Sequence, residues 1–433
     1  MRRKVSFTVL DIPKFKEALL LWARQFQDIV WLDSNEHPDS YGSFDAVLAV
    51  DALTSITTDS HNAFDDLAVY QKETKDWIFG YLSYDLKNDV ELLSSKNPDG
   101  LYFPELYFFQ PKKIIQLRGN QLSFNYLYLV EEEVKIDFDS IASMHGASLY
   151  SNTVLKKPIR IKLRIFKDDY FERVRKMLGH IHRGNIYEAN FCQEFYAMDT
   201  HIDPLTTYQK LNALSHPPFA AYLRMNDNYL MCASPERYLK KSGNKLVSQP
   251  IKGTAKRSSD KKEDERLKAD LANDQKERAE NIMIVDLVRN DLSKSAEKGS
   301  VEVKELCKVY SYQQVHQMVS TVTAKVSSKK NPIEMIKESF PMGSMTGAPK
   351  VSAMKIIEDL EGSKRGLYSG AVGYFTPEND FDFNVVIRSI LYNASRAYVS
   401  FSVGSAITSM ASPEKEYEEC LLKAKAMRDV LEN

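Results

Sequence analysis

The sequence predicts an α+β protein in which large antiparallel sheets are flanked by helices. Two features carry that expectation. Strand-like segments come in hairpin-like pairs rather than in strict βαβ alternation. The composition, 43% hydrophobic and 27% charged with 17 Gly and 16 Pro, is that of a folded chain rather than a disordered or fibrous one. At 433 residues there is length for two or three domains. No internal repeat or low-complexity tract is visible.

Residues 4–12 read as a strand, 14–29 as a helix and 44–50 as a short apolar strand. Residues 77–84 and 101–109 are rich in aromatics, which suit half-buried pleated surfaces. Residues 1–150 are thus expected to form a β-rich N-terminal subdomain. The polar stretch 137–158, interspersed with Ser, Gly, His and Asn, reads as a linker. Residues 160–433 then make the second domain. There 168–184 is a helix with a glycine stop. Strands are expected at 187–196, 219–224, 229–233 and 245–249, and a long charged helix over 260–291. Strands at 301–309 and 314–326 follow, then helices after Pro332 and Pro349, strands at 367–375, 381–392 and 397–403, and a last helix over 413–431.

Lys and Arg total 58 against 59 Asp and Glu, a net charge of −1. That balance argues against a nucleic-acid or anionic-membrane footprint and leaves room for a local basic site for a small anion. Cys192, Cys232, Cys307 and Cys420 form no C-x-x-C pair, so free buried thiols in a reducing compartment are expected. The basic start is broken by Asp11 and Pro13, and no run of 18 apolar residues occurs, so no membrane partner and a cytoplasmic location are expected. Phosphate-cradling glycine loops and the G-x-S-x-G elbow are missing.

Two segments place carboxylates three residues apart: Glu277 with Glu280, and Glu416 with Glu419. On helices each pair shares a face. Two such faces together would suit Mg²⁺, which takes one or two carboxylates and completes its octahedron with water and substrate oxygens; alone, the spacing equally describes a solvated charged face. Lys252, in Ser248-Gln249-Pro250-Ile251-Lys252-Gly253-Thr254, lies between an apolar residue and a glycine at a strand end. Holding such an amine neutral at pH 7 costs about 4.6 kcal/mol. Desolvation and a nearby cation supply shifts of that order, and lysine nucleophiles are made that way.

Five ordered motifs remove the independence of these residues: Ser234-Pro235-Glu236-Arg237, Pro250-Ile251-Lys252-Gly253-Thr254, the segment from Ala279 to Asp291, Gly343-Ser-Met-Thr-Gly-Ala-Pro-Lys350, and Tyr368-Ser-Gly-Ala-Val-Gly-Tyr374. The set resembles the chorismate-utilising enzymes, which include anthranilate synthase component I, aminodeoxychorismate synthase component I and the isochorismate and salicylate synthases. The resemblance is strong over 165–430 and weak before it. It implies the chorismate-binding fold, with 160–433 as its catalytic domain.

Within that family anthranilate synthases typically carry Pro-Ile-Ala-Gly-Thr where this chain has Pro-Ile-Lys-Gly-Thr, the form of the aminodeoxychorismate branch. The implied reaction is a double displacement, which splits one difficult substitution into two easier ones. Lys252 attacks ring carbon C2 of chorismate as the C4 hydroxyl leaves, and ammonia then adds at C4 and expels the lysine. Glu236 matches the glutamate that protonates the departing hydroxyl, which calls for a carboxyl kept protonated. Glu188 stands where isochorismate and salicylate enzymes keep a water-activating lysine, so those branches are disfavoured.

The resemblance further implies that Glu280 and Glu419 are direct Mg²⁺ ligands, with Glu277 and Glu416 holding metal waters. Arg388 and Tyr368 would hold the enolpyruvyl carboxylate with backbone donors near Gly404, and Lys423 the ring carboxylate. Thr254 belongs to the substrate-binding motif, and His316 and Thr346 match residues lining the ring and leaving-group side. Two departures stand out. Ser405 replaces a family Gly, which would strain a left-handed position, and Met410-Ala411 replaces Asp-Ser. No glutaminase nucleophile is present, so ammonia is expected from a glutamine amidotransferase subunit. Trp31-Leu-Asp-Ser34 loosely resembles the tryptophan-pocket element of anthranilate synthases, yet reads equally as a strand entering a turn, and no tryptophan feedback is expected. The leading expectation is an aminodeoxychorismate-forming enzyme for p-aminobenzoate and folate synthesis. An anthranilate synthase component I, or an enzyme making both products, is the alternative. A chorismate-binding protein without turnover is the rival from another class.

Overall fold

The computed structural model describes residues 1–144, 159–312 and 315–432. Its strands pair antiparallel and join into one branched ladder. The branch lies at two long strands, Ala46–Thr58 and Leu106–Arg118, each 13 residues. One arm runs from Ala46–Thr58 through Asp28–Asp33, Phe219–Met225, Asn228–Ser234, Ser389–Asn393 and Tyr398–Ile407 to Glu188–Ala197. The other runs from Leu106–Arg118 through Ile78–Leu82, Ala371–Phe375, Phe381–Val385, Arg237–Ser242 and Lys245–Gln249 to Val315–Lys325. Ile251–Lys256 and Glu302–Ser311 both pair with that last strand.

One core draws Leu223 and Leu230 from the first arm and Phe79, Phe383 and Val322 from the second, so the two curved sheets share an interior. A second core packs helices Ile12–Ala23, Lys167–His182 and Pro413–Glu432 on the outer face of the first arm. The α+β class with large antiparallel sheets is therefore the observed one. Strands from the first 143 residues pair edge to edge with strands from beyond residue 159, as in Asp28–Asp33 with Phe219–Met225 and Ile78–Leu82 with Ala371–Phe375.

Several elements differ from expectation for local reasons. The first helix stops at Ala23, because Asp28-Ile-Val-Trp-Leu-Asp33 is β-branched and aromatic and fills a slot between two strands. The expected linker begins as a helix, Glu133–Ser143, whose Asp137 is bonded to the buried Lys113; residues 145–158 lie outside the described residues. The single helix expected over 260–291 is two, Lys261–Asn273 and Gln275–Ser293. Asp274 leaves helical geometry (φ −63°, ψ 116°) and its side chain accepts from the Glu277 N–H, capping the second helix. The strand expected over 381–392 is broken at Arg388, whose φ is +53°. No helix among the described residues is long and apolar enough to cross a membrane.

Candidate active site

The strand Ile251–Lys256 carries Lys252 past the Gln275–Ser293 helix. Asn281 of that helix donates to the Lys252 carbonyl at 3.3 Å and to the Met318 carbonyl at 3.2 Å, pinning strand to helix. Gly253 makes the close pass: its φ is +96°, and a Cβ there would stand 3.2 Å from Glu277 Oε2 and from Met318 Cβ. The Lys252 amine is mostly buried, its side chain 14% exposed, and donates to Glu188 Oε1 at 3.2 Å. The neutral amine expected from the sequence is not what the free protein holds. Burial favours the neutral form, but the charges of Glu188, Glu280 and Glu236 outweigh it and raise the lysine above its ordinary value.

Glu236 is buried at 4% exposure, and burial pushes its carboxyl up to about 7, with a Ser344 hydrogen bond and Lys252 pulling the other way. A carboxyl protonated near neutrality is what leaving-group protonation requires. Glu280 is likewise pushed to about 7 by burial.

The two carboxylate pairs do converge. Lys276 Nζ stands 3.8 Å from Glu280 Oε1 and 3.8 Å from Glu416 Oε1, so helices Gln275–Ser293 and Pro413–Glu432 present carboxylates to one cation. Burial raises Glu277 and Glu416 above the usual carboxylate range. Burial acts the same way on Glu419, yet Lys423 at its side holds it below that range. Among the described residues no three His, Cys, Asp or Glu side chains are already gathered into a ligand cage. The donor set is all oxygen, and Glu280 Oε1 is buried without a hydrogen-bond partner. That chemistry fits a hard divalent ion such as Mg²⁺.

Ser405 resolves a departure seen in the sequence. It lies in the extended strand Tyr398–Ile407, where serine carries no strain, and its hydroxyl donates to Glu416 Oε2. Gly404, its neighbour, leaves no room for a side chain as packed: a Cβ there would stand 2.7 Å from Asn190 Oδ1 and Cys192 Sγ. The Gly404 carbonyl accepts from Lys423 Nζ at 2.9 Å. Met410 is 84% exposed.

Arg388 projects toward the same region. Burial lowers its guanidinium, partly offset by Tyr368 and Glu419, and no carboxylate among the described residues forms an ion pair with it. Tyr368 is buried, its hydroxyl accepting from Cys192 Sγ at 3.9 Å. Behind it Arg365 grips Glu361 at 2.6 and 2.9 Å and donates to the Met345 and Asn190 carbonyls, tying the 343–348 segment to the Glu188–Ala197 strand.

Three expected site residues have side chains engaged or directed elsewhere. His316 is fully buried with both ring nitrogens engaged, Nε2 to Asp264 at 3.0 Å and Nδ1 to Ser311 at 2.9 Å, in a clasp that also includes Arg257. Thr254 is exposed on the strand, opposite Gln317. The Thr346 hydroxyl is directed to the Met342 and Gly343 carbonyls. Conversely, the structure adds Asn281, Lys276 and Ser405 to the group; of these, only Ser405 departs from the family pattern in the sequence. The Trp31–Ser34 segment ends the strand Asp28–Asp33, and its Leu32, Asp33 and Ser34 border a separate cleft with Asp39, Arg237 and Asp382.

A profile of chorismate binding enzymes matches residues 26–429. The chain belongs to that family. Among relatives of this chorismate binding enzyme, the "Probable aminodeoxychorismate synthase, chloroplastic" of Oryza sativa subsp. japonica is 37% identical over 82% of the chain, which spans only 43% of that longer protein. The aminodeoxychorismate synthase component 1 of Salmonella typhimurium is 29% identical over the full length of both chains. The anthranilate synthase component 1 of Thermus thermophilus is 32% identical over 82% of this chain and 77% of its own. Anthranilate synthase component I from Streptococcus pneumoniae TIGR4 shares the fold, with a TM-score of 0.75 at 23% identity over 91% of this chain and 94% of that one.

Proposed function

We propose that this chorismate binding enzyme is an aminodeoxychorismate synthase component I, converting chorismate and ammonia to 4-amino-4-deoxychorismate in the cytoplasm for p-aminobenzoate and folate synthesis. The observation that carries the reading is a shielded Lys252 amine set against Glu188, with Glu236 near neutrality on the same strand system. The names of the rice and Salmonella relatives support it. The words "component 1" in the Salmonella name fit an enzyme with a second subunit, which in this reading is a glutamine amidotransferase that supplies the ammonia.

In this reading Arg388 and Lys423 hold the two carboxylates of chorismate, Arg388 through a buried guanidinium with no carboxylate partner among the described residues and Lys423 beside Gly404. Lys252 passes its proton to Glu188, the carboxylate in contact with it, and its nitrogen lone pair forms a bond to C2. The ring double bonds shift and the C4 hydroxyl departs as water with the Glu236 proton. Ammonia then bonds to C4, the double bonds shift back, and Lys252 leaves with its electron pair. Glu280 and Glu419, backed by Glu277 and Glu416, would hold Mg²⁺, whose charge binds a substrate carboxylate and withdraws electrons from the ring.

The Thermus relative keeps anthranilate synthesis as the second reading. Incubation with chorismate, Mg²⁺ and ammonium, followed by chromatography of the products, separates the two. The proposal expects 4-amino-4-deoxychorismate in excess; anthranilate as the sole product overturns it.

A further inference from the structure

The ammonium between the two glutamate-bearing helices belongs to no part of the reaction above. Lys276 Nζ is 3.8 Å from both Glu280 Oε1 and Glu416 Oε1, too long for a hydrogen bond to either, so it is held by their joint field rather than locked to one partner. Glu277 and Glu419 add to that field. Two of the carboxylates have other partners. Ser405 takes Glu416 Oε2, which leaves Oε1 toward Lys276, and Lys423 draws Glu419. Glu280 Oε1, on a residue 9% exposed, faces the ammonium with no hydrogen-bond donor. Lys276 itself is 49% exposed along its side chain, so the cation has a path to solvent.

We propose that Lys276 is the internal counter-cation of this site: in the metal-free protein it occupies the cation position between the two helices, and it moves out to solvent when a divalent ion enters. The inference rests on the metal reading given above. A surface ion pair of two free side chains would be worth little, but here both facing carboxylates are buried, Glu416 is also held by Ser405, and the lysine side chain is half exposed. Lys276 therefore competes with the ion for the same oxygens. It sets the affinity downward and spares the empty site the repulsion of four carboxylates.

The test uses Mn²⁺ as the probe, titrated into metal-free full-length protein at low ionic strength and followed by the loss of the free-ion paramagnetic signal. Removing one positive charge from about 4 Å away should make Lys276→Met bind Mn²⁺ roughly ten-fold tighter than wild type, a gap that narrows as salt is added. Lys276→Arg should stay within about two-fold of wild type, because the charge is kept. Metal-free Lys276→Met should also melt below wild type and gain more on adding Mn²⁺. Equal or weaker Mn²⁺ binding by Lys276→Met, with wild type binding one ion, overturns the counter-cation alone. Absence of binding by wild type and all variants, or binding retained by Glu280→Gln, overturns the metal site and this inference with it.

Discussion

Glu236 gives the site a pH window. Its buried carboxyl is pushed to about 7, against an ordinary 4.5 in the unfolded chain. Between those values the folded protein keeps a proton that the unfolded chain has released, so stability falls as pH rises through the window, and the full cost stands above pH 7. That cost is on the order of 3 kcal/mol. Glu236→Gln removes it. By urea denaturation the variant should exceed wild type by about that amount at pH 8 and match it at pH 4; an equal gain at both would point to packing instead. The same change removes the proton donor, a trade of stability against function familiar at active sites. Lys252 and the four glutamates were legible as residue types at motif positions. Lys252's charge state was not, because it depends on Glu188, 64 positions away in sequence and in contact only through the fold. His316 shows the opposite limit: a histidine in a plausible strand is engaged by Asp264 and Ser311, partners that no local pattern reveals.

At the scale of elements, the site depends on one bend and one helix start. Gly253 turns with a positive φ in contact distance of Glu277 and Met318. Gly253→Ala should cost at least about 1 kcal/mol from the backbone alone and shift Lys252 away from Glu188. The check is a lowered urea midpoint together with a fall in the rate of Lys252 modification by an amine-reactive reagent saturable by chorismate; an unchanged midpoint would contradict the close approach. Ser405→Ala should lose about 1.5–3 kcal/mol, the worth of a hydrogen bond to a charged group, read by the same denaturation; no loss would show Glu416 to be supported otherwise. The break at Asp274 was hidden from periodicity, since both sides are charged and helical in pattern. A capping aspartate three residues before Glu277 was the signal available. The strand at Asp28–Asp33 was hidden because its pairing partners, Ala46–Thr58 and Phe219–Met225, decide it.

Across the whole molecule, Glu188 and Lys252 meet from the ends of the two sheet arms, one closing at Glu188–Ala197 and the other at Val315–Lys325 beside Ile251–Lys256. The antiparallel class could be read from hairpin-like pairs, whereas the long-range pairing of N-terminal with C-terminal strands could not, because hydrophobic alternation specifies a face and not a partner. The chemistry proposed for this meeting point is covalent, and it is read most directly by intact-mass spectrometry of the protein with chorismate and Mg²⁺ but no ammonia. The account predicts an added mass of one chorismate less one water, located on the peptide containing Lys252, absent from Lys252→Ala and slowed at least about 100-fold in Glu188→Gln. Turnover to 4-amino-4-deoxychorismate by Lys252→Ala at the wild-type rate, or an adduct on another residue, would contradict it.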